Sequence, residues 1–306
     1  MLNHVVSRIT ERGAETPHVV SCKIILMAFL DDILRRKQAE IAQAKQSRNL
    51  GELRRMMADA PPVRPFASAL SPGFGLIAEL KRRSPSGGDM RPENFEQAPA
   101  AYAQSPAVRA VSVLTNHTDF GMGIEDLLRV RAAVPKPILR KDFILEEYQV
   151  YEARAFGADA LLLMANVLDR ASMRQLFELS RELGMDVLFE AHTKDEIDAI
   201  PDGAKLYGIN SRKFKASNRW LLARLLIRLG LTSAAPDLSV ELETFSLIKH
   251  LPPNAVKIAE SGVKPAKLPE LIKMGYNAIL VGTSLLKAPA GVQAILREFE
   301  QALRTT

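Results

Sequence analysis

Pro137-Ile138-Leu139-Arg140-Lys141-Asp142-Phe143-Ile144 runs from an apolar stretch into a charged tip, and Glu146-Glu147-Tyr148-Gln149-Val150-Tyr151 continues at once in a helical pattern. A strand ending in charge with a helix behind it is the repeating unit of α/β folds, and its last side chains face whatever site the fold builds. The unit recurs along the chain. Short apolar runs stand at 76–80, 110–115, 137–141, 160–165, 186–191, 205–209, 255–259 and 278–281, with helix-like segments between them, such as 125–133, 147–156, 170–183 and 266–274. Gly157, Gly184 and Gly275 each end a helical segment shortly before the next run begins. Eight such runs, with no Gly-x-Gly-x-x-Gly after the first, predict an α/β fold closed into a (β/α)8 TIM barrel rather than an open dinucleotide-binding sheet.

Upstream of the first run, residues 28–48 read as an amphipathic helix with Phe29, Leu30, Ile33, Leu34 and Ile41 on one stripe. A second helical piece covers 50–58, and Pro61, Pro62 and Pro65 break the pattern. The expected organisation is one barrel domain over 27–306 with N-terminal helices in 28–68; residues 1–26 are expected to be a disordered extension or to lie upstream of the native start. The apolar stretch near Val19 is too short for a membrane span and is interrupted by Lys23. The sixth βα loop is extended over 213–245 and includes an amphipathic segment around Trp220, which leaves a lid, a subunit contact or a neutral insertion open.

The 306 residues carry 41 Lys and Arg against 35 Asp and Glu, a net charge of +6, and 47% are hydrophobic. That is an ordinary globular composition whose charge suits an anionic ligand. The basic residues are scattered, with no arginine-rich arm, which argues against nucleic acid and for a small phosphorylated or carboxylated substrate. Cys22 is the single cysteine, which excludes an internal disulfide and a multi-cysteine metal site and fits a reducing, cytoplasmic location.

The runs end in chemistry. The first offers Glu79 and Lys81, the third Lys141, the fifth Glu190 and His192, the sixth Asn210 and Arg212, and the seventh Glu260 and Ser261. Strand side chains alternate at period two, so Glu79 shares a face with Lys81, Leu139 with Lys141, and Leu188 with Glu190. A lone strand-end lysine ordinarily reaches for solvent. Lysines, carboxylates and an amide arriving together at one mouth instead make a site, in which crowding is expected to lower a lysine's proton affinity. Ser261-Gly262 and Gly282-Thr283, the latter beside a short helix at 284–287, suit a phosphate; simple tight turns would explain either glycine alone.

Ile77-Ala78-Glu79-Leu80-Lys81-Arg82-Arg83-Ser84-Pro85-Ser86, Ser112-Val113-Leu114-Thr115, Leu139-Arg140-Lys141-Asp142-Phe143-Ile144, Tyr151-Glu152-Ala153-Arg154, Gly208-Ile209-Asn210-Ser211-Arg212 and Ala259-Glu260-Ser261-Gly262 occur in this order. Together they resemble the indole-3-glycerol phosphate synthase family over about residues 28–303. The resemblance implies closure of the indole ring of 1-(2-carboxyphenylamino)-1-deoxyribulose 5-phosphate in tryptophan biosynthesis, with loss of carbon dioxide and water and no metal or organic cofactor. It implies Lys141 as general acid, Glu190 as base, Lys81 beside the substrate's anionic groups, and Glu79 holding the lysines and sugar hydroxyls. Asn210, Glu260 and Arg212 would position substrate, Phe120 and Phe143 would enclose its ring, and Ser84, Ser261, Gly262, Gly282 and Thr283 would bind phosphate. Association with other tryptophan-pathway enzymes is a further expectation, and no membrane partner is expected. Asn116-His117 and Gly87-Gly88 depart from the family's usual Glu and Lys-Gly, which bears on affinity. A phosphoribosylanthranilate isomerase would need a Cys/Asp pair, which Cys22 is badly placed to supply, and a catalytically degenerate barrel acting as a scaffold is opposed by the complete set of strand-end residues.

Overall fold

The computed structural model describes residues 17–71, 73–85, 87–212 and 242–305. Eight parallel strands close into a barrel: β1 (Gly75–Leu80), β2 (Val108–Leu114), β3 (Ile138–Lys141), β4 (Ala160–Met164), β5 (Asp186–Ala191), β6 (Leu206–Asn210), β7 (Val256–Glu260) and β8 (Ala278–Val281), with β1 hydrogen-bonded to both β2 and β8. Each apolar run holds its strand, with ends shifted by a residue or two. β1 is buried along its whole length, because one face meets the barrel interior and the other the surrounding helices. Ile77, Leu139, Leu188 and Ile258 pack inside the barrel, whereas Ala78, Val111, Leu161 and Phe189 belong to the layer between strands and helices. Gly157, Gly184 and Gly275 adopt φ of 83°, 79° and 95°, the left-handed conformation that lets the chain leave a helix and turn into the next strand.

The N-terminal helical extension is part of the barrel's closure. α1 (Pro17–Ser47) holds the helix read over 28–48 and begins upstream of it, and residues 1–16 lie outside the described residues. α2 (Leu50–Asp59) is capped by Asn49, whose side chain accepts the Glu52 N–H at 3.0 Å. α3 (Phe66–Leu70) stoppers the barrel floor, with Phe66 and Leu70 fully buried in the interior cluster. Two aspartates at the N-terminal ends of the strands hold it there. Asp186 accepts the Ala67 N–H at 2.9 Å. Asp159 accepts the N–H groups of Arg64 and Ile138 at 2.7 Å and the Arg131 guanidinium at 2.7 Å on both oxygens.

The expected loop extension at 213–245 falls mostly outside the described residues; from Leu242 to His250 the chain forms a 3-10 helix. Phe245 there packs edge-on against Tyr276, ring centres 5.7 Å apart, and accepts the tyrosine O–H at 2.8 Å. Among the described residues no helix is long and apolar enough to cross a membrane.

Candidate active site

The strand ends converge on a cavity of about 620 Å³ at the C-terminal mouth of the barrel. Period two explains the convergence. Leu139 fills the interior layer, so Lys141, two residues on, points up into the mouth; Leu188 sets Glu190 in the same way. Lys141 Nζ lies 2.7 Å from Glu190 and 3.2 Å from Glu260. Glu190 also accepts the Asn210 amide at 2.9 Å, and the Asn210 carbonyl oxygen in turn accepts the Arg212 backbone N–H at 2.9 Å. Across the mouth Lys81 donates to Glu79 at 2.5 Å. Side-chain exposures of 14% for Lys141, 3% for Glu190 and 1% for Glu260 mean that these charges interact with little screening by water.

Burial alone would pull Lys141 down, but the carboxylates of Glu190, Glu260 and Glu79 outweigh it, and the lysine is held well above its ordinary value. The expectation of a lysine with weakened proton affinity is therefore corrected: three acids surround it where a second cation would have been required. The two acids nearest the lysine split. Burial pushes Glu190 up, but Lys141, His192 and the Asn210 hydrogen bond carry it below the usual carboxylate range. Glu260 is raised by burial and by the charge on Glu190, which its longer contact to Lys141 does not offset. Glu190 is thus the ionised member, and Glu260 holds a proton more readily.

Close backbone approach at two glycines creates the room these acids need. A Cβ at Gly208 would lie 2.0 Å from Glu260 Oε1, and one at Gly282 would lie 2.5 Å from Glu79 Oε1. Gly282 therefore serves the Glu79 carboxylate as well as the turn that the sequence suggested. Gly282, Thr283, Ser261 and Gly262 all line the cavity. Ser261 and Gly262 have φ of 69° and 68°, and the Ser211 hydroxyl steadies this turn by donating to the Glu260 and Ser261 carbonyls at 3.1 and 2.9 Å. Phe120, Phe143 and Arg212 line the wall too. Ser84 does not. It is 4% exposed, set behind Pro85, and its hydroxyl accepts the Gly87 N–H at 3.0 Å.

Several contributors were not anticipated. Lys287, following the short helix Thr283–Leu286, lines the cavity and donates to the Gly87 carbonyl across the mouth. Asn116 is 1% exposed, and its side chain caps the helix His117–Phe120 that presents Phe120, accepting the Asp119 N–H at 2.8 Å. Asp142 anchors the residue beside Lys141 to α1 through Lys37 at 2.6 Å. A signal for it existed: Asp142 follows Arg140 by two residues and so shares its outward face.

The motifs at these positions decide the family. The family model described as indole-3-glycerol phosphate synthase matches residues 30–218. The chain belongs to the indole-3-glycerol phosphate synthase family. Its relatives of that name include a protein of Nocardioides sp., 39% identical over 267 residues that cover 85% of this chain and 94% of the relative. The indole-3-glycerol phosphate synthase of Mycolicibacterium smegmatis is 38% identical over 84% of this chain and 88% of its own length. That of Mycobacterium leprae is 37% identical over 85% and 89%. Among solved structures, 3-hexulose-6-phosphate synthase from Salmonella typhimurium superposes with a TM-score of 0.52 at 13% identity, covering 76% of this chain and 99% of that one, a likeness of fold alone.

Proposed function

We propose that this member of the indole-3-glycerol phosphate synthase family closes the indole ring of 1-(2-carboxyphenylamino)-1-deoxyribulose 5-phosphate, with loss of carbon dioxide and water. The observation that carries the reading is Lys141 held 2.7 Å from an ionised Glu190 in the wall of a cavity of about 620 Å³. Attack of the carboxyl-bearing ring carbon on the ribulose carbonyl places negative charge on that oxygen, and the Lys141 ammonium protonates it. A lysine with a raised proton affinity still does this, because the alkoxide it meets is a far stronger base. Carbon dioxide then leaves, its bonding electrons restoring the aromatic ring. Glu190 takes the proton from the carbon beside nitrogen as the hydroxyl, receiving its second proton from the recharged Lys141 ammonium, departs as water. Phe120 and Phe143 hold the ring carbon against the carbonyl, the pre-orientation that intramolecular condensation requires. Asn210, Glu260 and Arg212 orient the sugar, while Lys81, steadied by Glu79, meets the anionic ends of the substrate. The turns at Ser261-Gly262 and Gly282-Thr283 receive the phosphate, while the Ser84 hydroxyl, which accepts the Gly87 N–H, shapes its own loop beside them.

A cytoplasmic location and association with other enzymes of tryptophan biosynthesis belong to the same reading; co-purification from a tryptophan-starved culture tests the association. The test of activity is turnover of the carboxyphenylamino substrate followed by the fluorescence of the indole product. The wild-type chain yields indole-3-glycerol phosphate, and Lys141→Ala lowers kcat by roughly 10²- to 10⁴-fold. Folded wild-type protein that forms none of it would overturn the reading.

A further inference from the structure

His192 stands two residues beyond Glu190, just past the end of β5, and its ring lies between two carboxylates from different elements. On one side Nε2 is 3.6 Å from Glu190 Oε1, an ion-pair separation that proton transfer has to shorten to hydrogen-bond length. On the other, Nδ1 is 3.3 Å from Glu196 Oε2, which also accepts the His192 backbone N–H at 2.6 Å. Glu196 belongs to the first turn of the helix Lys194–Ala199, capped by Thr193, so its carboxylate is fixed relative to the strand end. Exposure rises outward along this row, from 3% for the Glu190 side chain through 10% for His192 to 20% for Glu196. His192 does not line the cavity. It touches the proposed base from behind.

The reaction requires such a connection. The carbonyl oxygen of the substrate gains two protons before it leaves as water, while one proton returns from the carbon beside nitrogen. The carboxylate leaves as neutral carbon dioxide and supplies none. Each turnover therefore draws one proton from solvent, through a mouth that the substrate itself fills.

We propose that His192 is a positioning residue that passes this proton inward, Glu196 taking it from water and the imidazole handing it to Glu190, from which Lys141 is recharged. The proposal rests on the ring-closing reaction above. The atoms balance: Nδ1 gains a proton from Glu196 as Nε2 releases one to Glu190, and a flip of the neutral ring restores the starting tautomer before the next turnover. The groups facing the ring are Glu190 on its own strand, Glu196 on the following helix, Glu260 on β7, and Lys141 on β3 beyond Glu190. Burial disfavours the imidazolium, but the Glu196 hydrogen bond and the charges of Glu190, Glu196 and Glu260 more than compensate and raise the ring's proton affinity.

The test uses the full-length protein and the same indole fluorescence. Both His192→Ala and His192→Gln lower kcat by roughly 10- to 100-fold with KM unchanged within about twofold, because the groups that would hold substrate are untouched. Imidazole added to the buffer restores the alanine variant, and the decline of the wild-type kcat as pH rises through the ring's titration disappears in the glutamine variant. A glutamine variant with wild-type kcat and the same pH profile overturns the proposal, as does a folded alanine variant that imidazole leaves unrestored. Should the alanine variant not fold, judged by circular dichroism, the glutamine variant decides alone. Wild-type protein that makes no indole-3-glycerol phosphate overturns the reaction itself and this proposal with it, whereas wild-type turnover with unaffected variants removes only the relay.

Discussion

A single ammonium serves two carboxylates at the barrel mouth, and its removal has a pH signature. Glu190 sits below its ordinary value of 4.5 because Lys141 is 2.7 Å away. A carboxyl depressed in the folded state stabilises the protein above its unfolded value and loses that contribution as pH falls through the folded one. In Lys141→Ala the cation is gone and burial pushes Glu190 up, so ionisation above about pH 4 to 5 now opposes folding. The stability deficit of the variant, measured by urea unfolding, is expected to be larger at pH 7 than at pH 4. An equal or smaller deficit at pH 7 would show that Lys141 does not set the charge of its neighbours. Gly208→Ala tests the same cluster sterically. Its Cβ would come within 2.0 Å of Glu260 Oε1, an oxygen that is buried without a hydrogen-bond partner among the described residues. The carboxylate must turn away, at a cost of about 1 to 3 kcal/mol in overpacking, and a kcat fall exceeding the stability loss is expected.

The strand β3 with its flanking helices carries a second polar assembly, on the face opposite to Lys141. Arg140, 2% exposed, donates to Thr115 Oγ1 at 3.0 Å, to the Gln149 carbonyl at 2.8 Å and to Glu152 at 2.8 Å. Asp142 accepts Thr115 Oγ1 at 2.7 Å and pairs with Lys37 of α1. This accounts for the charged tip as a whole: the odd residue serves the mouth and the even residues tie β3 to α1 and to the helix Glu147–Ala155. Apolar runs and helix-ending glycines made the eight strands legible, since burial on two faces leaves a chemical record in the sequence itself. Period two made the inward set legible by the same logic. The outward network was not, because a buried Arg or Lys reads like a solvated one until its partners from distant segments are known. Lys37 sits on the stripe of Ile33 and Ile41, where the expected residue is apolar, and its buried partners, Asp142 and the Thr115 carbonyl far along the chain, explain it. Ser84 illustrates the converse, a motif residue whose hydroxyl turns to its own loop. Removing one partner of a buried ion pair costs about 3 to 5 kcal/mol, so Lys37→Met is expected to destabilise by about 3, the lower end, because Arg140 remains beside Asp142. Lys37→Met combined with Asp142→Asn should recover part of that loss, a coupling of about 0.5 to 3 kcal/mol in a double-mutant cycle. Simple additivity would mean that the pair does not dock α1.

Across the whole molecule, chemistry and stability occupy opposite ends of the barrel. The mouth concentrates carboxylates, one of whose oxygens has no hydrogen-bond partner among the described residues, an arrangement that burdens the fold; the floor centres on one carboxylate surrounded by donors. Asp159 is the centre of the floor, fully buried, with the Arg131 guanidinium and the N–H groups of Arg64 and Ile138 all directed at its oxygens. These contacts join the segment before α3, the helix Ile124–Ala133 and β3, three parts of the chain that apolar packing alone would leave free to slide. In barrels of this kind the N-terminal face contributes stability and the C-terminal face chemistry, and a rigid closed sheet lies between them. Asp159→Ala strips the carboxylate from a buried arginine and from two backbone donors, so a loss of about 3 to 5 kcal/mol is expected, measured by urea unfolding. The kcat of the protein that remains folded should stay close to wild type, since Lys141 and Glu190 stand at the opposite ends of their strands and keep their partners. A kcat that falls in step with stability would show that the floor and the mouth move together, and that the stopper formed by Phe66 and Leu70 sets the geometry of the mouth.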